Sequence, residues 1–155
     1  MSVETKQARI EAALGKRKAD LVIKNAKIVN VFTKELVEAD IAVCGGLIAG
    51  IGRYDGHHEV NASGRVVCPG LIDSHVHIES SMVTPAELVK TVLPYGTTTM
   101  IADPHEIANV CGLNGIHYML KNTADLPMNV YFMMPSCVPA TSFESNGADL
   151  DAGLM

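Results

Sequence analysis

Apolar and polar positions alternate with a period of two over residues 20–24, 26–32 and 39–43, the pattern of half-buried β-strands. Gly45-Gly46 lies between the apolar stretches 39–44 and 47–51 and predicts a two-residue hairpin turn. Asp55-Gly56 and Ser63-Gly64 punctuate the stretch beyond residue 51. Residues 20–67 therefore read as a small antiparallel sheet unit with short turns. Ahead of it, residues 4–14 predict a short helix with Ala8, Ile10, Ala13 and Leu14 as its apolar positions, stopped by Gly15.

From Val66 the pattern changes. Residues 66–73 form a nearly uninterrupted apolar run, as expected of a strand covered on both faces. Thr84-Pro85-Ala86-Glu87 then predicts a helix start, with Thr84 as N-cap, Pro85 in the first turn and Glu87 closing a capping box. Leu88, Val89, Val92 and Leu93 give that helix its apolar stripe, and Pro94 with Gly96 ends it. Residues 97–102 predict a second strand. Residues 107–121 have a helical period that Gly112 and Gly115 interrupt, and residues 129–134 predict a third strand.

Strand, helix, strand, helix, strand is the order of parallel βα units, so the fold class is α/β. The expected divisions are an N-terminal extension over 1–19, a small β domain over 20–67 and a partial barrel over 68–155. A run of three parallel strands keeps open edges, and the sequence reads as a beginning without its end. The third strand is an edge to which a partner, including a second copy in a homo-oligomer, would add.

Twelve basic residues against seventeen acidic ones leave a net charge of −5. That balance argues against a nucleic-acid or anionic-membrane partner, either of which wants a basic stripe. No apolar run approaches the roughly 18–20 residues of a membrane span, and the first 20 residues lack the apolar stretch of a signal peptide. The expected setting is the cytoplasm. Cys44, Cys68, Cys111 and Cys137 form no CxxC pair, so they are expected to be reduced and mostly buried small hydrophobes.

The densest chemistry lies in Asp73-Ser74-His75-Val76-His77, at the end of the first parallel strand. Residues i and i+2 of a strand share a face, which lets two imidazoles close on one ion. The C-terminal ends of barrel strands are also where such folds carry active sites. Asp103-Pro104-His105-Glu106 ends the second strand and projects into the same mouth. There, helix capping competes with a site role for Asp103, and His105 and Glu106 are candidates for substrate contact or for support of the metal ligands. Parity along a continuing strand puts Glu79 on the histidine face, where it would orient an imidazole or touch substrate. Ser136 and Cys137 are further mouth residues. His57, His58 and His117 are expected at the surface, in a turn and on a helix.

These residues carry a resemblance. The run from Val67 through Pro69-Gly70-Leu71-Ile72-Asp73 to His77 resembles the first-strand signature of the amidohydrolase superfamily. More narrowly, residues 75–82, 96–99 and 102–110 are similar to the bacterial adenine deaminases, and residues 19–25 and 39–43 fit the same group. The resemblance covers roughly residues 8–150. It implies a (β/α)8 barrel with a small β-sandwich domain, of which this chain would hold the first three βα units and part of the sandwich. It further implies hydrolysis of adenine to hypoxanthine and ammonia by metal-activated hydroxide at a binuclear centre of manganese or iron. His75 and His77 match metal ligands, while Glu79, Asp103, His105 and Glu106 match motif positions that are candidate catalytic residues. Two other readings stand beside it: a different ring-opening amidohydrolase of the dihydroorotase or imidazolone type, and a non-catalytic remnant acting through association. A barrel takes about 250 residues. The bridging carboxylate and further histidines expected of later strands fall outside these 155, so the chain alone is expected to be inactive.

Overall fold

The alternating runs 20–24 and 26–32 form one long strand, β1 (Ala19–Asn30), bent where Asn25 adopts a positive φ of 56°. The computed structural model describes residues 2–151 and 153. Within it the chain divides into two compact units, one through Pro69 and one from Gly70 onward.

In the first unit, β1 pairs antiparallel with β2 (Glu35–Cys44), and the register breaks between Ile23 and Ala26. Asp40 of β2 holds that bulge. Its Oδ1 accepts the Asn25 N–H at 2.9 Å, and its Oδ2 accepts from Lys24 Nζ at 2.7 Å and the Tyr54 N–H at 3.2 Å. Gly45 and Gly46, with φ of 62° and 74°, turn the chain into β3 (Leu47–Gly52). Two successive positive φ angles are what the tight hairpin requires.

The unit is not all antiparallel, contrary to the expectation from its residues. β4 (Gly56–Asn61) and the two-residue β5 (Val66–Val67) both run parallel to β1, giving the order β3-β2-β1-β4 with β5 further along the same strand. β1 is 12 residues long, so its free edge takes β4 before the bend and β5 after it. His57 and His58 are exposed as expected, but on β4 rather than in a turn. The helix α1 (Val3–Ala13) starts at Ser2, whose Oγ accepts the Thr5 N–H at 3.2 Å. It belongs to this unit: Tyr54 donates its hydroxyl to the Ala13 carbonyl at 3.2 Å.

The apolar run 66–73 is split between the two units. Val66 and Val67 stay with β1, the chain leaves through Cys68-Pro69-Gly70, and β6 (Leu71–Val76) begins the second sheet. Gly70 permits a close approach there, since a Cβ would lie 2.0 Å from Thr98 Oγ1 and 2.7 Å from Thr98 Cβ. β6, β7 (Thr97–Ala102) and β8 (Asn129–Phe132) are parallel in the order β6-β7-β8.

The connections contain α2 (Pro85–Val92), α3 (His105–Cys111) and α4 (Leu113–Thr123), with Gly112 at φ 58° breaking the last two apart. Val89, Met100 and Met128 form one core cluster, and Ile78, Ala102 and Met119 form another. Leu71 and Ile72, neighbours whose side chains point to opposite faces of a strand, are 58% and 65% exposed, so β6 is an uncovered edge strand rather than one buried on both faces.

Two smaller expectations also fail. Thr84 has N-cap geometry, but its side chain makes no capping bond, and Glu87 is drawn to Lys90 Nζ at 2.6 Å instead of closing a box. All four cysteines are free, but only Cys44 is buried. Cys68 sits in the connection between the units, and the exposed Cys111 and Cys137 lie at a helix end and in the loop after β8. Among the described residues no helix is long and apolar enough to cross a membrane.

Candidate metal centre

Parallel pairing brings the C-terminal ends of β6 and β7 together, and the Asp103 N–H continues the ladder by donating to the Val76 carbonyl at 2.9 Å. His75 is the penultimate residue of β6, and His77 follows its end. Asp103 directly follows β7, and His105 and Glu106 open α3. All five converge.

His75 Nε2 and His77 Nε2 are 3.1 Å apart, with the rings nearly perpendicular at 83°. His77 Nδ1 lies 2.9 Å from the Asp103 carbonyl oxygen. A carbonyl only accepts, so Nδ1 carries the proton and a neutral His77 presents its lone pair at Nε2. Two nitrogens bound to one ion at about 2.0–2.1 Å, with an angle near 90–109°, stand about 2.9–3.4 Å apart. The observed spacing falls inside that range.

The Asp103 carboxylate completes a group with the two imidazoles, its ligand atoms within 4.8 Å of theirs. Its Oδ1 is buried without a hydrogen-bond partner, and its Oδ2 is 3.4 Å from His105 Nδ1. A buried carboxylate oxygen without a donor, on a side chain grouped with two imidazoles, belongs to a donor set that a divalent cation relieves. His75, His77 and Asp103 fit such an ion.

His77, His105 and Glu106 form a second group of ligand type. Glu106 Oε2 is 3.1 Å from His77 Nδ1 and 3.8 Å from His105 Nδ1. A metal there would need the Nδ1 lone pair, but Nδ1 already donates to Asp103. A neutral His77 serves one group only, and its hydrogen bond selects the first. For the same reason Glu106 Oε2, close as it is, makes no hydrogen bond to the ring and remains a buried acceptor without a donor. Its other oxygen accepts the Ser80 hydroxyl at 2.7 Å. Burial pushes the Glu106 carboxyl up. The Ser80 bond, its own backbone amide and the nearby His105 and His77 outweigh that and hold it below the usual glutamate range.

Two sequence expectations change. After His77 the chain does not continue as a strand: Ile78 turns it into a 3-10 turn, Glu79–Ser81. Strand parity therefore no longer places Glu79; its Oε1 accepts the Ile107 N–H at 3.1 Å, capping α3 from a neighbouring loop, and its Oε2 is buried without a partner. Asp103 is not the cap, since Pro104 holds that position and no capping bond from its side chain forms. Reading the sequence alone missed Ser80 and also Asn109, whose Oδ1 is buried without a partner one turn further along α3. The signal for Ser80 was its place three residues after His77. Ser136 and Cys137 are exposed beyond β8, and His117 is exposed on α4.

A parallel sheet with an HxH pair, a carboxylate after the next strand and a histidine at the following helix defines a class of metal-dependent hydrolase. The model of the amidohydrolase family matches residues 66–152, and the chain belongs to that family, whose members use a divalent metal. It is similar to the adenine deaminase of Geobacillus kaustophilus, 60% identical over 144 residues, covering 93% of this chain and 25% of that protein. It is also similar to the adenine deaminase of Bacillus subtilis, 51% identical over 152 residues, covering 98% of this chain and 26% of that one. The chain thus spans about a quarter of the length of the curated relatives it matches. Among solved structures, the atrazine chlorohydrolase of Arthrobacter aurescens TC1, complexed with zinc, superposes with a TM-score of 0.56 at 18% identity, over 72% of this chain and 35% of that one. That likeness is one of fold.

Proposed function

We propose that the chain supplies the N-terminal quarter of an adenine-deaminating hydrolase, in which His75 and His77 hold a divalent metal through Nε2. The observation that carries this reading is the 3.1 Å spacing of those nitrogens in one group with Asp103, whose Oδ1 is buried without a partner. Support for the substrate comes from the relatives named adenine deaminase, at 51–60% identity. The overall reaction is adenine plus water to hypoxanthine plus ammonia, with manganese or iron as the metal. When bound, the metal supplies Lewis-acid activation of water near neutral pH.

The chain's own residues do the rest of the work proposed for this half of the site. The Asp103 carbonyl fixes the His77 tautomer, and Asp103 Oδ1 offers a third ligand. Glu106, held ionised, presents a free Oε2 that accepts a proton or a ring N–H of the purine. His105 Nδ1 lies 3.4 Å from Asp103 Oδ2 and helps to orient that carboxylate. Glu79 fixes the helix that carries His105 and Glu106.

The same proposal treats residues 68–155 as the first three units of a (β/α)8 barrel, residues 20–67 as part of a small β-sandwich and residues 1–19 as an extension. The exposure of β6 supports it, because in a closed barrel that strand has a neighbour on its open edge and its inner face is packed by the barrel's interior side chains. We place the chain in the cytoplasm, where the exposed Cys68, Cys111 and Cys137 stay reduced.

Complementation tests the function. The purified chain is mixed with a fragment of the Bacillus subtilis relative that lacks the matching quarter, and ammonia release from adenine is followed with manganese present. Turnover that needs both pieces and is lost on His75→Ala is expected. No turnover from a folded, associated pair, or ammonia release by this chain alone that His75→Ala abolishes, would contradict it.

A further inference from the structure

The 3-10 turn after His77 grips the start of α3 twice. Glu79 Oε1 takes the Ile107 backbone N–H at 3.1 Å, and Ser80 Oγ donates to Glu106 Oε1 at 2.7 Å. Without the second contact the Glu106 side chain, 38% exposed, keeps only the bond from its own backbone amide to set its rotamer. With it, the carboxylate plane is set, and Oε2 stands 3.1 Å from His77 Nδ1.

A negative charge at that distance makes the ring a better donor at its opposite nitrogen, the one aimed at the ion. The Asp103 carbonyl fixes the tautomer, and Glu106 adds the charge. Both act on His77 from the side away from His75.

We propose that Ser80 is a positioning residue for the metal site: by holding Glu106 against the His77 ring, it raises the affinity of His75 and His77 for a divalent cation. This rests on the reading of His75 and His77 as the ligands. Partners of metal-binding histidines are worth about 10–100-fold in affinity. Ser80 sets the place of such a partner, so part of that range is its share. Threonine keeps the hydroxyl and preserves the effect, whereas alanine frees Glu106 to swing into water.

The test is Co2+ and Mn2+ titration of the metal-free 155-residue chain by calorimetry, with circular dichroism confirming that each variant is folded. Ser80→Ala is expected to weaken binding by about 3–10-fold and Glu106→Gln by about 10-fold or more. The double variant should bind no more weakly than Glu106→Gln alone, and Ser80→Thr should stay within about twofold of the parent. A purely structural role would not produce that non-additivity. Ser80→Ala equal to the parent while Glu106→Gln weakens binding, or losses that multiply in the double variant, overturns the role of Ser80 and leaves the ligand reading standing. Parent affinity that survives His75→Ala/His77→Ala, or no binding by the parent, overturns the ligand reading, and the role of Ser80 falls with it.

Discussion

Asp40 is 6% exposed and organises the first unit around three contacts, so its removal should be felt across that sheet. Asp40→Ala leaves the Asn25 and Tyr54 amides without their acceptor and releases Lys24. A hydrogen bond to a charged group is worth about 1.5–3 kcal/mol. The lysine side chain is 25% exposed and rehydrates, so the cost is set by the two amides, at about 3–5 kcal/mol in all. For a unit of this size each kcal/mol moves the melting temperature by about 4–8 °C, which gives a fall of more than about 12 °C. Asp40→Asn keeps one acceptor oxygen and should lose about half as much.

The pH dependence has a defined sign. Burial pushes the Asp40 carboxyl up, but the Lys24 hydrogen bond, the Asn25 and Tyr54 amides and the Lys24 charge outweigh it and hold the group below its ordinary range. A depressed carboxyl stabilises the fold above its unfolded pKa of about 3.9, and that contribution fades as the pH falls through the folded value. Thermal unfolding by circular dichroism between pH 7 and pH 2 measures both effects. If Asp40→Ala melts within about 3 °C of the parent at pH 7, or Asp40→Asn keeps the parent's acid loss, the hub does not hold the bulge.

Other perturbations bear on the second unit. Gly70→Ala puts a Cβ against the Thr98 backbone-proximal atoms, which cannot swing away, so it should cost at least about 2 kcal/mol in denaturant titration; a neutral result would place the connection elsewhere. Gly115→Ala gains helix propensity of up to about 1 kcal/mol but meets the Ile107 carbonyl oxygen at 2.8 Å and Ile107 Cγ1 at 2.9 Å. Net destabilisation of about 1–2 kcal/mol is expected, and stabilisation would show that α3 and α4 are not in close contact. Met100→Ala, at 2% exposure beneath α2, should cost about 2–5 kcal/mol, and a change under about 1 kcal/mol would deny it a place in the core.

What could be read from the residues was local. Gly45-Gly46 announced its hairpin because the turn chemistry lies in two adjacent positions. The order of strands and helices after Val66 was legible from period and breakers, and Gly112 does separate α3 from α4. The bend at Asn25 was not, because the carboxylate that holds it comes from Asp40, fifteen residues away. Nor was the parallel pairing of β4 and β5, since period two says nothing of a partner's direction.

The site divides in the same way. Convergence of His75, His77 and Asp103 followed from strand ends that neighbour each other in a parallel sheet. The roles of Glu79 and Ser80 were hidden, because the parity reading assumed a strand where the chain turns at Ile78. The choice between the two possible ligand groups depended on a hydrogen bond from His77 Nδ1 to a backbone carbonyl, which no side-chain pattern records.

The most direct measurement is anomalous diffraction from crystals of this chain soaked in manganese. The predicted result is a peak within bonding reach of both His75 Nε2 and His77 Nε2, with Asp103 Oδ1 beside it and His77 Nδ1 still facing the Asp103 carbonyl. A peak instead at His105 and Glu106, with His77 turned to bind through Nδ1, or manganese bound only away from both histidines, would contradict the proposed metal centre.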